Sequence, residues 1–356
     1  MITAFIALVA FGGTISAMYF LRPLCLKIGM VDHPDSGRKQ HGSSIPLAGG
    51  LGILAGVLLS AIYFPGLHYR GLAQFLIALT PLLVVGVWDD LFEARVLVRF
   101  AAQIGAALIA IYRGGAVITN LGGLFEPSSP LTMHASAVPF TVFCIVGVVN
   151  AVNMIDGADG LAGGLALITL AWFATAALVR GAVADFAFAL AFFGAVAGFL
   201  VFNHNFRARQ RASVFLGDAG SMMLGLALAW LSVCLSQADD RGLPAMAAVW
   251  VVGVPVIDAL AVIAGRVWLG RSPFKSDQLH IHFVLMRLGF SGPQTVAILL
   301  FAQAALGSVG IGAWKLGMPV STLFYGALAV FAVYLAAMLK LWRILKIPRG
   351  AIAEDG

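Results

Sequence analysis

Residues 186–202 read FAFALAFFGAVAGFLVF, an apolar run without one charged side chain. A helix of this length, at about 1.5 Å per residue, comes close to the roughly 30 Å hydrocarbon core of a bilayer. Runs of the same kind recur at 3–21, 46–64, 71–88, 98–112, 137–152, 161–179, 217–236, 243–264, 293–312 and 320–340. The pattern predicts an all-α polytopic membrane protein with about eleven transmembrane helices. Composition agrees: of the 356 residues 61% are hydrophobic and 11% charged, where a soluble domain would be about a quarter charged. The 41 glycines suit close helix packing and broken helices in lipid.

Because the apolar runs continue from end to end, residues 1–345 are expected to form a single transmembrane domain, with 346–356 a short cytoplasmic tail. No basic region precedes the first run, which therefore reads as a retained helix rather than a signal peptide. The charges have sides. If the runs are threaded alternately through a membrane, 17 of the 22 Lys and Arg residues fall on one face and 5 on the other. The positive-inside bias makes the richer face cytoplasmic, with the C-terminus inside and the N-terminus outside, in the periplasm. The formal charge of +6 suits anionic membrane lipids rather than nucleic acid. Cys25, Cys144 and Cys234 lie far apart in apolar segments and form no metal or redox spacing. The connection from 120 to 136 carries Gly122, Gly123, Pro127 and Pro130 and is expected to be a structured loop or a short strand pair.

Chemistry concentrates on the cytoplasmic side, in the segments 89–99, 150–160, 203–218 and 265–292. Carboxylates beside hydrocarbon are expensive, which favours function over decoration. Asp89 and Asp90 are adjacent like charges that need separation, a cation or a basic partner, and Arg95 and Arg99 stand near as alternatives to a metal. Asn150 and Asn153, like Asp156 and Asp159, are three apart, a spacing that aligns side chains wherever the segment is helical. Gly157 and Gly160 would let a ligand approach the backbone. Gly217-Asp218-Ala219-Gly220-Ser221 opens the eighth run, where Asp218 could cap the helix or face a ligand at its N-terminus. His280, His282 and Arg287 offer hydrogen bonds and charge to phosphate or sugar, and zinc is disfavoured because neither cysteine nor a third histidine is close. His41, with Arg38 and Lys39, could add positive charge beside Pro46 and Gly49-Gly50. Asp258 lies within an apolar run and could pair with an arginine or line a cavity.

The motifs His41-Gly42-Ser43-Ser44-Ile45-Pro46-Leu47-Ala48-Gly49-Gly50, Asp89-Asp90, the 150–160 segment, Gly217 to Ser221 and His280-Ile281-His282 resemble, in order and side, those of the polyprenyl-phosphate N-acetylhexosamine-1-phosphate transferases. The resemblance is greatest to the bacterial undecaprenyl-phosphate GlcNAc-1-phosphate branch. It implies transfer of GlcNAc-1-phosphate from UDP-GlcNAc to undecaprenyl phosphate at the inner membrane, with release of UMP. It also implies Mg²⁺, or Mn²⁺ in its place, held by Asn153 and Asp218. Asp89, Asp90, Asp156 and His280 would be catalytic, with Asp89 the preferred base; His41, Asn150, Asp159, His282 and Arg287 would bind substrate. Subunits would associate as homodimers, and the product would feed surface glycans such as O-antigen. Phe283 departs from the His-x-His-His of that branch and is shared with the peptidoglycan branch, which carries phospho-MurNAc-pentapeptide. Asn153-Met154-Ile155-Asp156 and Ser272-Pro273-Phe274 again match the GlcNAc type. An ion-coupled transporter is the alternative of a different class, although its charges should approach the membrane midplane.

Overall fold

A computed structural model describes residues 2–32, 44–64, 71–203, 212–238, 242–268, 270, 272 and 278–345. The chain runs α1 (Ile2–Ile28), β1 (Val31–Asp32), β2 (Ile45–Pro46), α2 (Gly49–Tyr63), α3 (Leu72–Phe92), α4 (Val96–Gly114), α5 (Ala137–Ile155), α6 (Leu161–Arg180) and α7 (Val183–Asn203). It continues through α8 (Gly217–Ser236), α9 (Ala245–Val251), α10 (Gly253–Trp268), α11 (Ile281–Arg287), α12 (Gly292–Lys315) and α13 (Val320–Ile344). The protein is an all-α polytopic membrane protein, its only sheet among the described residues being the antiparallel pair β1–β2.

Among the described residues nine helices are long and apolar enough to cross a bilayer, or ten if α9 and α10 form one broken span, against the eleven expected. Two expected runs account for the difference. The run 46–64 becomes a helix of only 15 residues, because its start is spent on β2 and the turn before α2. Fifteen residues rise about 22 Å, short of the hydrocarbon thickness. The run 243–264 bends by 86° between α9 and α10. Backbone groups freed by such a break must find partners inside the protein. Gln303 of α12 supplies them: its Oε1 accepts from the Val254 N–H at 3.0 Å, and its Nε2 donates to the Val251 carbonyl and to Thr169 Oγ1. The 120–136 connection forms one antiparallel bridge, Asn120 with Thr132.

The helix α8 is the axis of the bundle, with 89% of its apolar window buried, whereas α13 lies at the edge with 11%. Trp230 of α8 meets Phe75 of α3 edge-on at 5.7 Å, and Phe75 meets Phe188 and Phe192 of α7 in the same way. Such aromatic contacts add to simple burial. The start of α8 is fixed by the 46–50 segment. Phe215 N–H donates to the Pro46 carbonyl, and the Gly49 and Gly50 N–H groups donate to the Phe215 and Leu216 carbonyls at 2.9 and 3.0 Å. A Cβ on Gly50 would stand 2.5 Å from the Gly220 backbone, so only glycine allows this approach.

Candidate active site

The end of α3, the end of α5 and the start of α8 converge. Asp90, in the last turn of α3, accepts the Asp218 N–H at 2.7 Å and the Ala219 N–H at 3.4 Å. It thereby satisfies, from another helix, donors that the N-terminus of α8 leaves open. Gly217 allows this: its φ is +75°, and a Cβ there would stand 2.7 Å from Asp90 Oδ2. Asp218 is therefore not the cap of α8. Its Oδ1 instead receives Asn153 Nδ2 at 2.6 Å, and the same nitrogen donates to Ser221 Oγ at 2.8 Å. Asp89 takes the basic alternative, pairing with Arg99 of α4 at 2.9 Å and accepting the Ala94 N–H at 2.6 Å.

Asn150 and Asn153 both lie in α5, but they serve different partners. Asn150 exchanges amide hydrogen bonds with the buried Gln103 of α4, at 2.6 and 3.3 Å. Asp156 and Asp159 lie beyond the helix. Asp159 accepts the Ala212 N–H at 3.1 Å, and Asn203 ties the same turn through the Gly160 N–H and the Val214 carbonyl. Asp156 opens into a cavity. Its carboxyl is pushed up to about 7, first because surrounding protein displaces bulk water and then by the charges of Asp218 and Asp159.

His280 and His282 flank the start of α11, their rings nearly parallel with centroids 5.9 Å apart. His280 Nδ1 lies 2.7 Å from the Oδ2 of Asp258, which settles the pairing left open by sequence in favour of histidine. His282 is fully buried, and among the described residues neither ring nitrogen has a hydrogen-bond partner. It presses on Gly157, where a Cβ would collide with Nε2. Burial, and then the neighbouring His280, lower it to about 4. Arg287 lies at the exposed end of α11 and donates to Gln278 at 2.5 Å.

One cavity of about 1840 Å³ is lined by part of this cluster, with Asp218 held beside it through Asn153. Arg99, Asn153, Asp156, Arg266, His280 and His282 line one part, whereas the rest is walled by apolar side chains of α5, α8, α9 and α10, as far as Phe125 and Phe324. Among the described residues no three His, Cys, Asp or Glu side chains form a ready cation cage. The donors that do gather, Asp218 and Asn153, are hard oxygen ligands. They fit a cation such as Mg²⁺, which is commonly held by one or two carboxylates and completed by substrate phosphates.

Of the residues singled out by sequence, Asp89, Asp90, Asn153 and Asp218 come together, and Asn153, Asp156, His280, His282 and Arg287 share the cavity wall. Asn150 also reaches that wall while its amide holds Gln103. Asp159 faces the 212 backbone. His41 lies outside the described residues, as do 204–211, 269, 271 and 273–277 of the expected active-site segments and the expected tail 346–356. Sequence reasoning missed Gln103, Arg266 and Tyr334 as site residues, and had Ser221 only as part of a motif. Only the polar character of Gln103 and Arg266 within helical apolar surroundings could have signalled them.

The description "Glycosyl transferase family 4" matches residues 72–236. The undecaprenyl-phosphate alpha-N-acetylglucosaminyl 1-phosphate transferase of Haemophilus influenzae is 30% identical over 339 residues, covering 95% of this chain and 94% of its own length. The enzymes of the same description from Salmonella typhi and Escherichia coli K12 are 30% and 29% identical, each covering 92% of this chain and 89% of their own length.

Proposed function

Since this chain belongs to glycosyl transferase family 4, we propose that it transfers N-acetylglucosamine-1-phosphate from UDP-GlcNAc to undecaprenyl phosphate at the cytoplasmic face of a bacterial inner membrane. The observation that carries this reading is the single cavity in which a long apolar wall meets Arg99, Asn153, Asp156, Arg266 and His280. An acceptor made of a polyprenyl chain and a phosphate needs both parts in one space. From α3 onward, threading the spans with α9 and α10 taken as one puts 13 of the 17 Lys and Arg residues on one face, which supports the cytoplasmic assignment, and the named relatives support the lipid and the sugar.

In this reaction an oxygen of the lipid phosphate attacks the phosphorus joined to the sugar. A new P–O bond forms, the bond to UMP breaks, and UMP departs with the electron pair. Asn153 and Asp218 would hold Mg²⁺, which when bound supplies positive charge against the diphosphate. Arg99, Arg266 and His280 supply positive charge or hydrogen bonds to the acceptor phosphate. Asp89 holds Arg99 at the cavity wall, so we assign it to positioning rather than to proton removal. The acceptor phosphate is already mostly anionic near neutrality, which leaves little for a base to do. The apolar wall excludes water, so attack by lipid phosphate is favoured over hydrolysis.

The test is purified protein with undecaprenyl phosphate, Mg²⁺ and a panel of UDP-sugars. The expected result is a lipid-linked product with UDP-GlcNAc ahead of UDP-GalNAc and UDP-MurNAc-pentapeptide. Preference for the pentapeptide donor would move the protein to the peptidoglycan branch.

A further inference from the structure

Asp258 is the most deeply buried acid among the described residues, 1% exposed and set within α10. A carboxylate kept charged there needs full pairing. It receives three partners from two places, the start of α11 and α13. Its Oδ2 meets His280 Nδ1 at 2.7 Å, and its Oδ1 accepts the Ile281 N–H at 3.0 Å and the Tyr334 hydroxyl at 2.7 Å. Tyr334 belongs to α13, the least buried of the nine spans found among the described residues, and lies 76 residues from Asp258 in the chain. An ionised carboxylate only accepts hydrogen bonds, so the proton of a neutral His280 ring sits on Nδ1. The other nitrogen, Nε2, is then the one available to the cavity that His280 lines.

We propose that Asp258 and Tyr334 are positioning residues that lock the His280 ring with Nε2 turned toward the reacting phosphates. The assignment of those phosphates rests on the function proposed above, whereas the locking of the ring does not. Asp258 fixes both the tautomer and the plane of the ring, and it balances the charge when Nε2 takes a proton or donates to an anionic oxygen. The Tyr334 hydroxyl and the Ile281 N–H hold the carboxylate itself, so that it cannot rotate away. In this way α13 completes the site by bracing an acid it shares with α10 and α11. Behind metal-bound histidines, loss of such an acceptor typically reduces function by about 10–100-fold, and the same support is expected to matter for a ring that acts on phosphate.

The experiment has two readouts. In protein labelled with ¹⁵N-histidine, the His280 signal is assigned among the seven histidines by comparison with His280→Ala. The neutral ring is expected to be protonated at Nδ1 in the wild type and to lose that preference in Asp258→Asn. A wild-type ring protonated at Nε2, or an unchanged spectrum in Asp258→Asn, overturns the proposal whether or not the protein turns over substrate. In UMP release with UDP-GlcNAc and undecaprenyl phosphate, Asp258→Asn is expected to lower kcat by about 10²-fold at nearly unchanged KM, and Tyr334→Phe by about 3–10-fold. In the His280→Ala background neither substitution is expected to reduce kcat further, because all three act through one ring. Losses that multiply in that background contradict the proposal and mark Asp258 and Tyr334 as fold supports. Should Asp258→Asn fail to fold, Tyr334→Phe, which removes a single hydroxyl, gives the same kinetic comparison. A wild type with the Nδ1 proton and no UMP release would refute the reaction and leave the ring assignment intact.

Discussion

Asp90 joins architecture to chemistry at a single carboxylate. It caps the N-terminus of α8 and so sets the position of Asp218 one residue into that helix. Asp90→Asn keeps an oxygen for capping and removes the charge, so we expect UMP release to fall by at least about 10²-fold with thermal stability nearly unchanged. Asp90→Ala is expected to lose the same activity and about 1 kcal/mol of stability besides. Assays of turnover and of thermal unfolding in detergent separate the two. His282 makes a pH prediction. Its ring takes a proton near 6.5 in an unfolded chain but only near 4 when folded. Between those values the unfolded chain binds more protons, so stability falls as pH drops from about 6.5 to about 4, by up to roughly 3 kcal/mol. Thermal unfolding across this range should show a steeper acid loss in wild type than in His282→Gln. Sequence made these acids and histidines visible because charged or titratable groups beside apolar runs are conspicuous. It offered Arg99 as a partner for the paired acids, the pairing that Asp89 takes, but could not show that Asn150 belongs to Gln103, since that partner comes from α4 and only packing brings it near.

The elements read well wherever a helix is simply long and apolar. The run 186–202 became α7, Val183–Asn203, with little change at either end. The reading failed where backbone partners decide the outcome. Pro46 pairs in a strand instead of opening a span, and the chain at 252 breaks because Gln303 of another helix receives the freed groups. Hydropathy sees neither event, as both segments remain apolar throughout. Gln303 therefore carries a prediction of its own. Gln303→Leu leaves the Val254 N–H and the Val251 carbonyl buried without that side chain, and is expected to destabilise the protein by about 2–4 kcal/mol. The check is thermal unfolding in detergent, with Gln303→Glu as the partial rescue because it restores the acceptor for Val254. An unchanged midpoint in Gln303→Leu would mean that the break is held by other contacts.

At the scale of the whole molecule, the bundle builds one space with two characters, apolar along α5 and polar at the start of α4, the ends of α5 and α10 and the start of α11. Gly147 of α5 lines the apolar part, and a Cβ added there meets nothing within 4 Å. Gly147→Phe should thus fold and fill the space, lowering kcat/KM for undecaprenyl phosphate about tenfold, the equivalent of roughly 1.4 kcal/mol, while KM for the UDP-sugar stays the same. An equal loss with a short-chain polyprenyl phosphate would argue against the cavity as the site of the lipid chain. The central claim is that phosphate moves with the sugar, and the most direct measurement follows UDP-GlcNAc labelled with ³²P on the phosphate next to the sugar. With undecaprenyl phosphate present, the account predicts that the label enters the lipid and unlabelled UMP is released in equal amount; label recovered as UDP, or no transfer by folded protein, would contradict it.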